Sequence, residues 1–233
     1  MVKFSIIVPA YNEEKNVARC LDSLVNLDFD KNDYEVILVN NNSTDRTKEI
    51  AETFSGVKII DEPKQGNVFA LIKGCLQARG EILVFTDADT IVPKDWLIKI
   101  NQAYQNEKVV CAGGPGKLRP KTFLGFFGEK LFYWGGALTK LAPCFNLSIR
   151  KSVYKEIGGF DPKINFHQDT YLVLKAKKRG KAVFLRDNYV ITSSRHFKGW
   201  PAIPYILKGG INLIFLFLFG KTIFWDFGNV RGK

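Results

Sequence analysis

The first ninety residues alternate strand-length apolar runs with helix-length segments, and the connections between them are short. Residues 4–9, 34–39, 57–60 and 81–86 are rich in Val, Ile, Leu and Phe, the composition of strands. Between the first two, residues 13–27 place Val17, Cys20, Leu21 and Leu24 on a helical spacing. Residues 45–54 and 67–79 are expected as the next two helices, with Ser43 or Thr44 capping the former. Strand, helix, strand, helix predicts an α/β fold: a Rossmann-like, mostly parallel sheet with helices on both faces. Ligands of such sheets bind outside the carboxyl ends of the strands. Those ends carry Ala10-Tyr11-Asn12-Glu13, Asn40-Asn41-Asn42 and Asp87-Ala88-Asp89, so polar groups gather where a site is expected.

Beyond residue 108 the pattern loosens. Residues 111–136 hold seven glycines and a dense set of aromatics, and residues 143–150, 153–159 and 168–179 read as strand, short helix and helix. The tail is separate in character: residues 211–219 are nearly unbroken hydrocarbon between Lys208 and Lys221. The 12 residues between those lysines fall short of a spanning helix, which needs about 20. An interfacial or re-entrant helix with a basic flank fits this length, and a buried or dimer-forming helix is the alternative. The expected division is 1–110 for the regularly alternating half, 111–200 for a second, looser half of the same domain, and 201–233 for a basic, hydrophobic, membrane-associated tail.

Composition excludes several classes. With 46% hydrophobic and 24% charged residues over 233 positions, the chain folds as a domain and is not a disordered segment. The net charge of +11 is concentrated late: residues up to 169 carry 22 Lys and Arg against 21 Asp and Glu, whereas the remainder carries twelve against two. The aromatics at that basic end lie in Phe-Leu runs, not interleaved with Lys and Arg as a nucleic-acid platform requires, so no nucleic-acid partner is expected. Cys20, Cys75, Cys111 and Cys144 form no CxxC pair, and no signal peptide is read at the start. Reduced thiols and a cytoplasmic location, peripheral on the membrane, are the expectation. The first strand is followed by neither GxGxxG nor a Walker lysine loop, which argues against a dinucleotide or P-loop enzyme.

Asp87-Ala88-Asp89 is the sharpest chemical feature. Two carboxylates leaving a strand end at i and i+2 can hold a hard divalent cation together with substrate phosphates, or Asp89 can merely cap the segment from Thr90. Asp169, at the start of a helical segment, can serve as a base toward a hydroxyl acceptor, as a helix cap, or as both.

Four ordered segments together carry a family resemblance. Residues 5–14 (SIIVPAYNEE), 39–47 (VNNNSTDRT), 80–89 (GEILVFTDAD), and Gly158-Gly159-Phe160-Asp161 followed by Gln168-Asp169 resemble the family 2 glycosyltransferases. The resemblance implies a GT-A fold, a UDP- or GDP-linked sugar donor, Mg²⁺ or Mn²⁺, and inversion at the anomeric carbon. By position, Pro9, Ala10, Tyr11 and Glu13 would line base and ribose, and Gly66 and Ala70 would approach the donor. Asp87 would lie near ribose and metal, Asp89 would be the direct metal ligand, and Asp169 matches the catalytic carboxylate. Arg195 would close over the diphosphate and His196 would add a metal ligand.

Three positions depart from the family pattern. Asn40 stands where an Asp usually reads the base, Gln168 replaces an acid, and residues 195–200 lack the Gln of the processive QxxRW segment. The last departure favours transfer of a single sugar. The expected function is therefore metal-assisted, inverting transfer of one sugar to a lipid- or polyprenyl-phosphate or other acceptor at an anionic membrane surface. The alternative is a non-catalytic nucleotide-sugar scaffold of the same fold.

Overall fold

A computed structural model describes residues 2–121, 123–164 and 167–195, together with 208, 211, 212, 215 and 216. Four strands open the fold: β1 (Phe4–Ala10), β2 (Tyr34–Asn40), β3 (Val57–Asp61) and β4 (Ile82–Phe85). They are separated by helices α1 (Val17–Val25), α2 (Thr47–Glu52) and α3 (Asn67–Gln77). After them come α4 (Trp96–Tyr104), β5 (Val109–Gly113), β6 (Gly116–Arg119) and α5 (Phe123–Thr139). The chain then returns through β7 (Leu147–Arg150), α6 (Lys151–Glu156), α7 (Gln168–Ala176), β8 (Lys181–Phe184) and β9 (Val190–Ser193).

Seven strands form one sheet in the order β3-β2-β1-β4-β7-β5-β8, and β6 pairs with β9 in a second, two-stranded sheet. The large sheet is mostly parallel, as expected. The exception is β7, which runs antiparallel between β4 and β5. Alternation along β1 feeds two cores. Phe4, Ile6, Val8 and Ala10 pack with Leu21 and Leu24 of α1 and Trp96 and Ile100 of α4. Ile7 faces the other way, toward Leu71 of α3 and Leu172 and Val173 of α7.

The structure corrects several local expectations. The first helix begins at Val17, because residues 13–16 form turns instead. The second begins at Thr47, and neither Ser43 nor Thr44 caps it: Ser43 Oγ accepts the Asn12 N–H, while Asp45 accepts the Thr47 N–H. The loosely patterned residues 123–139 are one long helix, α5. The strand read over 143–150 starts only at Leu147, after a 3-10 turn over Cys144–Asn146. All four cysteines are free, as expected. No helix among the described residues is long and apolar enough to cross a membrane. Most of the tail, with His196, lies outside the described residues.

Candidate active site

Strand order reverses at β1, which has β2 on one side and β4 on the other. Pro9 opens the crevice there. The Ile7 carbonyl accepts the Thr86 N–H, so two residues later the same edge of β1 presents a proline that has no N–H to donate. Pairing of β1 with β4 ends at Ile7 opposite Phe85, and the chain beyond Phe85 is free to turn away as Thr86-Asp87-Ala88-Asp89.

Three acidic side chains and one guanidinium meet at this edge. Arg195 Nη2 lies 2.6 Å from Glu13 Oε1 and 2.9 Å from Asp89 Oδ2. The carboxylates are buried, at 3% and 5% side-chain exposure, whereas Arg195 retains 25%. Glu13 is fixed from behind, because its own N–H donates to Thr47 Oγ1 (2.7 Å) and Asn16 Nδ2 donates to its carboxylate (2.9 Å). Asp89 accepts a longer bond from Thr192 Oγ1 of β9 (3.4 Å), and Thr192 in turn accepts from Thr90 (3.0 Å). Burial, with Asp89, Glu13 and Asp169 nearby, pushes the Asp87 carboxyl up to about 7, against the opposing pull of Arg195.

Asp169 approaches this cluster from the second half. It lies in the first turn of α7, one residue after its start, where its carboxylate accepts the Thr170 N–H (2.7 Å) and reaches across to accept the Cys144 N–H (3.0 Å). The helix starts one residue before Asp169, with His167 at its N-cap position and no side-chain cap bond, so Asp169 is not the cap expected of it. His167, just before it, adopts a left-handed conformation with φ 58°.

The proposed base-lining positions are ordered by side-chain bonds between loops. Asn12 Oδ1 accepts the Thr44 N–H, clamping the loop after β1 to the loop after β2. Ala10 pairs with Asn40, and Asn40 pairs with Asp61, in one row across the carboxyl edge. The Asn40 amide donates to Asp61 Oδ1 (2.8 Å) and its carbonyl accepts the Ser43 N–H (3.2 Å). A carboxylate, that of Asp61, thus stands hydrogen-bonded to the side chain at position 40, and it also pairs with Lys48 (2.7 Å). Asn41 holds the loop before α3, accepting the Gly66 N–H (2.7 Å) and donating to the Glu62 and Lys64 carbonyls. Gly66 has φ +135°, a conformation that L side chains rarely adopt, so glycine is required where α3 starts. Ala70 is fully buried under that helix, packed in the core and turned away from the surface.

Sequence reasoning missed Thr192, Asp61 and the Cys144 N–H. None of them sits in a local motif: each reaches the site only through pairing between distant segments.

Fit to a divalent cation follows from the donor set. Asp87 and Asp89 offer hard carboxylate oxygens at one strand end, which suits Mg²⁺ or Mn²⁺. Among the described residues, no group of three or more His, Cys, Asp or Glu is placed to hold a metal by protein ligands alone. A two-carboxylate set completed by substrate phosphates is the arrangement expected of Mg²⁺.

An α/β sheet with acidic groups at its switch point, faced by an arginine and by a carboxylate from the second half, defines a charged crevice outside the carboxyl ends of the strands. The chain belongs to glycosyl transferase family 2, whose model matches residues 5–158. It is similar to glycosyltransferase AglE of Haloferax volcanii, 28% identical over 190 residues covering 76% of this chain and 62% of that protein. It is also similar to the dolichyl N-acetyl-alpha-D-glucosaminyl phosphate 3-beta-D-2,3-diacetamido-2,3-dideoxy-beta-D-glucuronosyltransferase of Methanococcus voltae. That match is 28% identical over 156 residues, 64% of this chain and 43% of that protein. The chain therefore spans about half the length of these relatives. Its fold matches the mannosyltransferase PcManGT of Pyrobaculum calidifontis, solved with GDP-Man and Mn²⁺. The TM-score is 0.73 at 22% identity, over 88% of this chain and 61% of that one.

Proposed function

We propose that this chain transfers one sugar from a nucleotide-diphosphate donor, with inversion, to a membrane-linked acceptor (lipid or polyprenyl phosphate) or to another acceptor. The observation that carries the reading is the meeting of Glu13, Asp89 and Arg195 beside Asp87 at the β1–β4 crevice. The relative that acts on a dolichyl-linked acceptor and the neighbour holding GDP-Man and Mn²⁺ support the substrate classes.

Asp89, with Asp87, would hold Mg²⁺ or Mn²⁺, and His196 is a further candidate ligand. When bound, the cation neutralises charge developing on the departing diphosphate. Arg195 supplies a fixed positive charge to the same diphosphate, held in position by Glu13. Pro9, Ala10, Tyr11 and the row containing Asn40 and Asp61 hold base and ribose, and Gly66 lets the start of α3 come close. Asp169 accepts a proton from a hydroxyl acceptor, or orients a phosphate acceptor that has none to lose. Residues 1–110 serve the donor, residues 111–200 the acceptor, and the tail holds the protein at the cytoplasmic face of the membrane.

Calorimetric titration of UDP and GDP, each with and without Mn²⁺, tests the donor site. The expected result is metal-dependent binding of one nucleotide, lost in Asp89→Ala. Failure of a folded wild-type chain to bind either nucleotide in the presence of metal would overturn the reading.

A further inference from the structure

We propose that the outward face of α5 is a docking surface for an anionic lipid bilayer. Helix α5 exposes Phe126 (48%), Phe127 (55%), Trp134 (65%) and Leu138 (84%). At 100° per residue these four, with Lys130, fall within one face of the helix. Four of the seven large hydrophobic side chains exposed among the described residues therefore share a single stripe. Isolated exposed apolar residues are ordinary, but a contiguous stripe on one helix marks an interaction surface.

Charge identifies the partner. From Gly114 to Ala142 the chain carries Lys117, Arg119, Lys121, Lys130 and Lys140 against the single acid Glu129. Glu129 accepts the Leu118 N–H, and Lys117, Lys121, Lys130 and Lys140 are exposed. Lys130 Nζ lies over the Phe126 ring (4.6 Å) and Lys117 Nζ over the Tyr189 ring (4.4 Å). Tyr133 stacks on Tyr189 at 6.1 Å, and with Trp134 and both lysines it lines a cavity of about 260 Å³ at the edge of the stripe. Trp and Tyr rings with lysines able to extend toward headgroups are the mixture favoured at the boundary between hydrocarbon and phosphate. A protein partner of the same shape would satisfy the apolar stripe without requiring this excess of positive charge.

Position gives the surface a use. Before α5, β6 pairs with β9, which brings Thr192 to Asp89. After α5, the chain reaches Cys144, whose N–H holds Asp169. The lipid-facing helix is thus bracketed by contacts to both halves of the site. The inference rests on the reading above only for the acceptor's place in the membrane.

Sedimentation of the full chain with vesicles of mixed phosphatidylglycerol and phosphatidylcholine, and with phosphatidylcholine alone, tests it. Binding to the anionic vesicles should weaken as salt is raised. The combined variant Phe126→Ser, Phe127→Ser, Trp134→Ser should bind them at least about tenfold more weakly while taking up nucleotide like wild type. Vesicle binding unchanged in that variant would assign attachment to the tail and overturn the proposal. So would a wild-type dimer that the variant dissolves. Should the combined variant not fold, Trp134→Phe gives an independent readout. Brominated lipid should quench wild-type fluorescence more than that of Trp134→Phe, and equal quenching overturns the proposal. Vesicle binding through α5 in a chain that binds no nucleotide would sustain this inference while removing the donor-site reading.

Discussion

Arg195 bridges two carboxylates that would otherwise sit buried and facing one another, Glu13 and Asp89. Removing one member of such a cluster leaves uncompensated charge, which costs more than the cluster itself contributes. Arg195→Ala should therefore lose about 3 kcal/mol of stability in denaturant unfolding. Because one nitrogen serves both acids, Asp89→Asn should recover part of that loss, and a double-mutant cycle will measure the coupling. Glu35 makes a different kind of prediction. Burial alone would push its carboxyl up, but bonds from Ser5 Oγ (2.6 Å), the Arg79 N–H (2.6 Å) and the Arg79 guanidinium (3.0 Å) hold it below its ordinary 4.5. A depressed folded value means that this stabilisation is complete above pH 4.5 and is lost as pH falls through the folded value. Glu35→Gln should cost about 1–3 kcal/mol at neutral pH and flatten the acid limb of the stability curve. At this scale Asp87, Asp89 and Asp169 were legible, since each lies in a short motif whose chemistry is local. Arg195 was readable as a candidate basic residue, but its partners were not, because β9 reaches the crevice only after the whole chain has wound. Asn40 was legible as a departure, whereas its pairing with Asp61 depends on strand register.

At the scale of elements, α3 shows why sequence predicts helices better than their seating. Gly74 lies against β1, and a Cβ there would stand 2.5 Å from Ile7 Cγ2 and 3.2 Å from Val39 Cγ2. Both neighbours are β-branched side chains packed within the sheet, so they cannot rotate away cheaply. Gly74→Ala should gain about 1 kcal/mol of helix propensity and still lose about 1–3 kcal/mol overall through overpacking, which thermal unfolding will show. Strands β1, β2 and β4 were legible because they are buried on both faces and so read as continuous apolar runs. Helix α5 was not, since large apolar residues and glycines all round its circumference hide the 3.6-residue period. Strands β6 and β9 have four residues each and find partners far along the chain, so neither length nor alternation announces them.

For the molecule as a whole, the site joins parts that lie far apart along the chain. Glu13 follows β1, Asp87 and Asp89 follow β4, Arg195 follows β9 of the second sheet, and Asp169 lies in the first turn of α7. A ligand that engages all four must bind the folded chain and not the unfolded one, because no two of these segments are neighbours in sequence. Linkage then fixes the sign: nucleotide with metal raises stability by about 2.7 kcal/mol when present at a hundred times its dissociation constant. For a chain of 233 residues each kcal/mol moves the unfolding midpoint by about 2–4 °C, so the midpoint should rise by about 5–10 °C. The same addition should leave Asp89→Ala unmoved, and metal alone should shift wild type less than metal with nucleotide, since two carboxylates leave most of the cation's coordination to phosphate. An equal shift from metal alone would mean that the protein completes the cation's shell without a donor, and the phosphate-completed arrangement would have to be abandoned.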